Sequence, residues 1–331
     1  MNAPTRVFTI ASAVREAVPL LIGLTGPSGG GKTFSALRLA TGIQSISGGD
    51  IYGIDTEARR MLHYADRFKF KHIQFDQPFG SLDYLDAIRQ CANDGARIII
   101  VDSMSHEHEG PGGLLDFQAR EFERMGSQDS KKMLAWQKPK AARQALLNGI
   151  LQIQANFIFC FRAKEKIKIV RGQKTEIVPQ GFMPIAGEEF VFEMTTNCLL
   201  LPHANGVPTW QSAEPGERMM MKLPEQFRDI FTEPQPLSED IGAKLATWAA
   251  GKPPETLQTI LKDALDGVHL QDARAAASHG KAALQAHWKS LPQTARRIVK
   301  PIMEELTTSA VEADAMIETE PAQVATTEDV I

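Results

Sequence analysis

The sequence predicts an α/β fold, with a mostly parallel sheet followed by a small helical module. Three observations predict it. Apolar runs of strand length alternate with helical patterns over residues 1–235, the order that a parallel sheet requires. The first of these runs ends in a glycine-rich turn that opens straight into a helical pattern. Beyond Glu233-Pro234-Gln235-Pro236-Leu237, which has the composition of a linker, only helical periodicity remains.

Taken in order, strands are expected at 19–25, 51–54, 72–75, 97–101 and 156–161, where apolar residues run together as in strands buried on both faces. Helices fit at 32–43, 57–67, 81–93, 114–125 and 139–155. Ser81 is placed to cap its helix and Gly95 to close it, and Pro139 suits a first helical turn. Two short strands, 189–194 and 197–201, are expected as an edge hairpin around Thr195-Thr196. The expected domains are a core at 1–235, a helical module at 236–308 and a disordered acidic tail at 309–331.

Composition narrows the class. Hydrophobic residues make up 43% and charged residues 23% of 331, as in an ordinary globular protein. Cys91, Cys160 and Cys198 form no CxxC pair, which argues against a disulfide framework or zinc ribbon and for a reducing cytosol. Arg15 and Glu16 interrupt the N-terminal apolar stretch, so neither a signal peptide nor a membrane span is expected. The net charge is −4, yet no Lys or Arg follows Lys300. A mildly basic body with an acidic tail fits a nucleic-acid partner; it equally fits a tail that only aids solubility.

The glycine-rich turn reads Gly26-Pro27-Ser28-Gly29-Gly30-Gly31-Lys32-Thr33, the G-x-x-x-x-G-K-[ST] phosphate-binding loop. Its backbone N–H groups are expected to cradle phosphate, Lys32 to meet the β- and γ-phosphates of ATP, and Thr33 to reach Mg²⁺. Ile98-Ile99-Ile100-Val101-Asp102 is a buried strand ending in an acid, which makes Asp102 the second Mg²⁺ residue. Its plainer reading is a cap for the next turn. Glu57, in Ile54-Asp55-Thr56-Glu57, is the first candidate to orient the attacking water. Glu107 and Glu109 are rivals, and a helix-starting acid is the plainer reading of Glu57. Arg162 ends the strand Asn156–Phe161 and is a candidate γ-phosphate sensor or arginine finger, or else a surface arginine.

Lys164, Lys166 and Lys168 alternate with Glu165, Ile167 and Ile169, and Arg171, Gly172 and Lys174 follow. Period two sets these lysines on one face, suited to the backbone of single-stranded DNA or merely to a charged sheet edge. A second basic stretch, Lys131, Lys132, Lys138, Lys140 and Arg143, surrounds Trp136. The run His106-Glu107-His108-Glu109 lacks the i, i+4 spacing of a helical metal site and reads as a loop.

The order of P-loop, Ile54-Asp55-Thr56-Glu57, Asp102-Ser103 and the strand ending at Arg162 resembles the RecA core. The segments Asp102–Glu107 and Glu109-Gly110-Pro111-Gly112-Gly113 resemble phage- and prophage-encoded AAA-type ATPases, among them minimal RecA-core recombinases proposed to assist single-strand annealing. The resemblance covers roughly residues 19–235. It implies a RecA-like P-loop ATPase with ATP and Mg²⁺, with Glu57 as catalytic base. It further implies action on single-stranded DNA in recombination or replication, assembly as a homo-oligomer, an annealing or single-strand-binding partner protein, and a cytoplasmic location in a bacterial host. RecA has glutamine where Arg162 falls, and its DNA loops do not align here, which puts filament formation in question. The rival readings are a nucleotide-gated adaptor or DNA-packaging ATPase, and a small-molecule P-loop kinase.

Overall fold

The apolar runs assemble into a sheet of seven strands among the described residues. The structure, a computed structural model, describes residue 13 and residues 15–171, 175–251 and 255–319. The chain divides into two compact units, residues 1–252 and 253–331. The first contains β1 (Leu21–Gly26), α1 (Lys32–Ser47), β2 (Ile51–Asp55), β3 (Lys71–Gln74), α2 (Ser81–Asn93), β4 (Ile98–Asp102), α3 (Ser105–Glu109) and α4 (Leu114–Arg124). It continues with α5 (Gln137–Gln152), β5 (Asn156–Arg171), β6 (Thr175–Pro184), α6 (Glu188–Phe192), β7 (Thr196–Leu199), α7 (Pro215–Met220) and α8 (Glu239–Ala249).

The strands lie in the order β3-β2-β4-β5-β1-β7, every pair parallel. β6 alone is antiparallel and pairs with the outer half of β5, Ala163 to Arg171. Register levels the strand ends: Asp55 sits beside Asp102, Asp102 beside Cys160, and Gly26 beside Arg162. The carboxyl ends of β1, β2 and β4 and the middle of β5 therefore share one edge, where open α/β sheets bind ligands.

Period two sorts the apolar residues onto two buried faces. Leu20, Ile22, Leu24, Ile98, Ile100 and Ile158 face α1 and α8, whereas Ile99, Val101, Phe157, Phe159 and Phe161 face α2 and α5. With both faces covered, these strands read as continuous apolar runs.

Several expectations change. The linker-type stretch at 233–237 does not end the first unit, because α8 packs along α1. Two glycines allow that approach. A Cβ at Gly42 would lie 1.9 Å from the Glu239 carbonyl oxygen, and one at Gly242 would lie 2.3 Å from that of Leu39. Residues 189–194 are not a strand: α6 begins after Gly187, and Phe190 inserts between Phe159 and Phe161 at ring distances of 5.2 and 5.8 Å. β7 is consequently no hairpin partner but lies parallel beside β1. Residues 57–67 form only a short 3₁₀ turn, Arg60–Tyr64. Ser81 is the first residue of α2 rather than its cap, and its hydroxyl donates to Glu107 Oε1 at 2.6 Å.

The second unit contains α9 (Glu255–Ser278), α10 (Lys281–Ser290), α11 (Gln293–Val299) and α12 (Met303–Thr319). Ala273, Ala277, Leu284, Leu291, Ala295, Val299, Leu306 and Ala310 form its core. Helix α12 makes residues 309–319 of the expected tail helical, and residues 320–331 lie outside the described residues. Among the described residues, no helix is long and apolar enough to cross a membrane.

Candidate active site

The turn between β1 and α1 has Gly29 at φ +78° and Gly31 at φ +83°, a left-handed region that side chains with a Cβ avoid. These two residues let the backbone curl into the start of α1, and the N-terminus of a helix is a ready anion cradle. Lys32 Nζ donates to the carbonyls of Gly26 and Pro27, both at 2.9 Å. The loop and its surroundings enclose a cavity of about 180 Å³, lined by loop residues together with Glu57, Arg60, Tyr64, Asp102 and Arg162.

Asp102, at the tip of β4, is buried and accepts a hydrogen bond from Thr33 Oγ1 at 2.5 Å. Burial raises its carboxyl to about 6, against the opposing pull of the Thr33 hydroxyl and Lys32. Glu57 reaches the cavity because Asp55 shapes the turn after β2. The two Asp55 carboxylate oxygens accept from the amides of Glu57 (2.8 Å) and Met61 (2.9 Å). Those bonds wind the chain through Ala58 and Arg59 at positive φ, which a regular helix at 57–67 would not permit. Around Glu57 stand three cationic or imidazole groups. Arg60 Nη1 lies 3.7 Å away, Arg162 Nε 3.9 Å and His106 Nε2 4.0 Å.

The rival acids lead elsewhere. Glu107 is buried and bonded to Arg143 Nη2 at 2.6 Å, Arg143 Nε at 3.2 Å and the Ser81 hydroxyl. Arg143, grouped by sequence with the basic stretch around Trp136, is itself buried and also contacts Glu189 at 3.1 Å. His108 Nδ1 accepts from Arg143 Nη2 at 2.9 Å, and burial together with Arg143 holds its pKa below the usual value. This network ties α2, α3, α5 and α6 together. Arg143→Met should leave Glu107 charged and unpaired in the interior, costing about 3–5 kcal/mol. Urea unfolding would measure it, and the double variant Glu107→Met/Arg143→Met should recover most of that loss. Glu109 does not line the cavity and pairs with Lys164 at 3.2 Å.

Lys164, Lys166 and Lys168 stand exposed along the outer half of β5, as do Ile167 and Ile169. The side chain of Arg171, and all of Lys174, lie outside the described residues. β5 therefore runs from Arg162 in the cavity wall to the lysines, with a register shift against β6 between Lys166 and Ile167.

Sequence reasoning missed Arg60 and Tyr64 as lining residues, since a helix reading of 57–67 gave them no direction. It also set aside His106 as part of a loop. The strand-end pattern Asp-x-Glu was the one available signal for Asp55.

No curated protein matches this chain. The AAA_24 family model, an AAA domain, matches residues 19–191, just over half of the chain. That span begins just before β1, ends within α6 and includes every residue that lines the cavity. The chain thus belongs to the AAA_24 family of AAA domains, which are P-loop AAA-type ATPase domains.

Proposed function

We propose that this protein is a Mg²⁺-dependent ATPase that acts on single-stranded DNA in phage-type recombination or replication, working as a homo-oligomer beside an annealing or single-strand-binding protein. The observation that carries the reading is the course of β5. One strand places Arg162 in the wall of the nucleotide cavity and, two residues later, begins an exposed row of lysines. A shift of that strand with nucleotide state would move both ends, so binding of a phosphate backbone and turnover of ATP are linked through it.

Within the cavity each side chain has a task. Backbone amides of the loop and Lys32 bind the phosphates. Glu57 orients water and takes its proton. Arg162 meets charge that develops on the γ-phosphoryl oxygens. Thr33 and Asp102 offer an all-oxygen donor set that suits a hard cation and would hold Mg²⁺. The ion, when bound, neutralises charge on the β- and γ-phosphates.

ATP turnover with and without single-stranded DNA tests the proposal. DNA should stimulate the parent. Lys32→Ala should be inactive with or without DNA. The triple variant Lys164→Ala/Lys166→Ala/Lys168→Ala should keep basal turnover, lose stimulation and bind DNA with a salt slope smaller by about two. Turnover indifferent to DNA would reject the DNA reading. Undetectable turnover by the parent, with ATP still bound, would favour the nucleotide-gated adaptor.

A further inference from the structure

We infer that His106 is a positioning residue for ATP hydrolysis: a neutral imidazole, protonated on Nδ1, that holds the Arg162 guanidinium off the Glu57 carboxylate. The inference rests on the roles proposed above for Glu57 and Arg162.

The contact with Arg162 sets the tautomer, and the Thr56 hydroxyl accommodates it. Thr56, the residue before Glu57, sets its hydroxyl against the Ser103 amide at 2.8 Å, the Ser103 carbonyl at 3.0 Å and His106 Nδ1 at 2.8 Å, beside the Tyr84 hydroxyl, which donates to the same Ser103 carbonyl at 2.9 Å. A hydroxyl donates once and accepts twice. The Ser103 amide can only donate to it. With the Thr56 proton on the Ser103 carbonyl, the remaining lone pair of Thr56 accepts from Nδ1–H of His106. At the far side of the ring, Nε2 lies 3.4 Å from Arg162 Nη1. Arginine only donates, so Nε2 must be the bare nitrogen. Both ends of the imidazole are satisfied by the same tautomer.

The ring is held as well as protonated in one way. It stacks on Phe79 with centroids 4.8 Å apart and planes at 20°, and its side chain is only 15% exposed. Burial, with Arg162 nearby, holds its pKa below the usual histidine value. Arg162 is anchored at its backbone too, its amide donating to Ser105 Oγ at 2.8 Å.

The consequence concerns Glu57. Arg162 Nε stands 3.9 Å from Glu57 Oε1, farther than the roughly 2.8 Å of a closed charge-assisted hydrogen bond. With Nη1 drawn toward His106, the guanidinium stays in the cavity wall without capping the carboxylate. Glu57 keeps an oxygen for water, and Arg162 remains free to face phosphate. Without an acceptor at Nε2, the half-exposed arginine would close onto Glu57 and take up the lone pairs that water needs.

Two measurements on the full chain test this. In steady-state assays, His106→Leu should lower kcat about 10- to 100-fold with KM for ATP changed less than about two-fold. His106→Gln, whose side-chain oxygen restores an acceptor, should recover most of kcat. In an Arg162→Ala background, His106→Leu should add nothing further. Independent, additive losses, or a rise in KM at unchanged kcat, would overturn the positioning role. Separately, ¹⁵N NMR of histidine-labelled protein should show the His106 ring, identified by its disappearance in His106→Gln, protonated on Nδ1. An Nε2–H ring would overturn the inference even if His106→Leu fails to fold. The NMR result does not depend on turnover. A parent protein without ATPase activity but with the Nδ1–H ring would therefore reject the proposed hydrolysis while leaving the Thr56–His106–Arg162 geometry standing.

Discussion

Glu57→Gln is expected to lower kcat for ATP by about 10²- to 10⁴-fold, the usual contribution of a positioned general base, with ATP binding nearly unchanged. The geometry explains both halves. Glu57 lines the cavity together with Asp102 and Arg162, whereas phosphate binding is expected of the loop amides and Lys32. Its backbone position is set by Asp55, which the substitution does not touch. The ion pairs it would lose are long, between 3.7 and 4.0 Å, so the fold should barely notice. Steady-state kinetics, with a fluorescent nucleotide to read binding, would separate the two effects. A Glu57→Gln enzyme that keeps its kcat would remove Glu57 from the mechanism. Since Glu107 is committed to Arg143 and Glu109 lies outside the cavity, it would also favour a protein that binds nucleotide without relying on a carboxylate base.

Asp102→Asn should have opposite effects on activity and stability. Turnover should fall by a factor of about 10³ if this carboxylate is half of the cation's donor set. The folded protein should nevertheless become more stable at neutral pH. The carboxyl is held at about 6 by burial, against about 3.9 in an unfolded chain. The folded state therefore binds this proton more tightly than the unfolded state. That stabilisation is complete below about pH 3.9 and is lost as pH rises through 6. Above pH 6 the folded protein carries a desolvated charge costing at most about 3 kcal/mol, since each pKa unit is worth about 1.4 kcal/mol. Asparagine carries no such proton. Its advantage over the native carboxylate should grow between about pH 4 and 6 and level off above. Urea unfolding of both proteins across that range would show it. An equal or lower stability for the Asp102→Asn variant at about pH 7.5 would mean that the Thr33 hydrogen bond and Lys32 outweigh burial. A site that gives up stability for function is expected where a carboxylate must be charged before its ligand arrives.

These two sites differ in how far local sequence could carry them. The phosphate loop was legible in full because eight consecutive residues supply it, and glycine at 29 and 31 answers a local backbone demand. The strand ending in Asp102 was legible because a strand buried on both faces has one composition, an apolar run, whatever its neighbours. Glu57 was legible as a candidate and no more. What turns it into the cavity is the Asp55 carboxylate, whose bonds reach two and six residues ahead. The same bonds made a 3₁₀ turn of a segment that periodicity assigns to a helix.

Contacts between distant residues decided the rest. Nothing near Arg143 in sequence distinguishes it from the lysines around it. Its burial follows from meeting Glu107, 36 positions away. Likewise α8 looked like the start of a separate module until Gly242 and Gly42, 200 positions apart, allowed its backbone to approach that of α1. Segment 189–194 has strand-like residues, yet Phe190 finds its burial against Phe159 and Phe161, and a helical turn presents it there. His106 stood in a run with no useful spacing. It acquires meaning only where β2, β4 and β5 bring Thr56, Ser103 and Arg162 to one edge of the sheet. Strand composition and turn chemistry are properties of a few adjacent residues, so sequence alone carries them. The order of strands, the partner of a buried charge and the tautomer of a histidine depend on groups that only chain folding brings within a few ångströms.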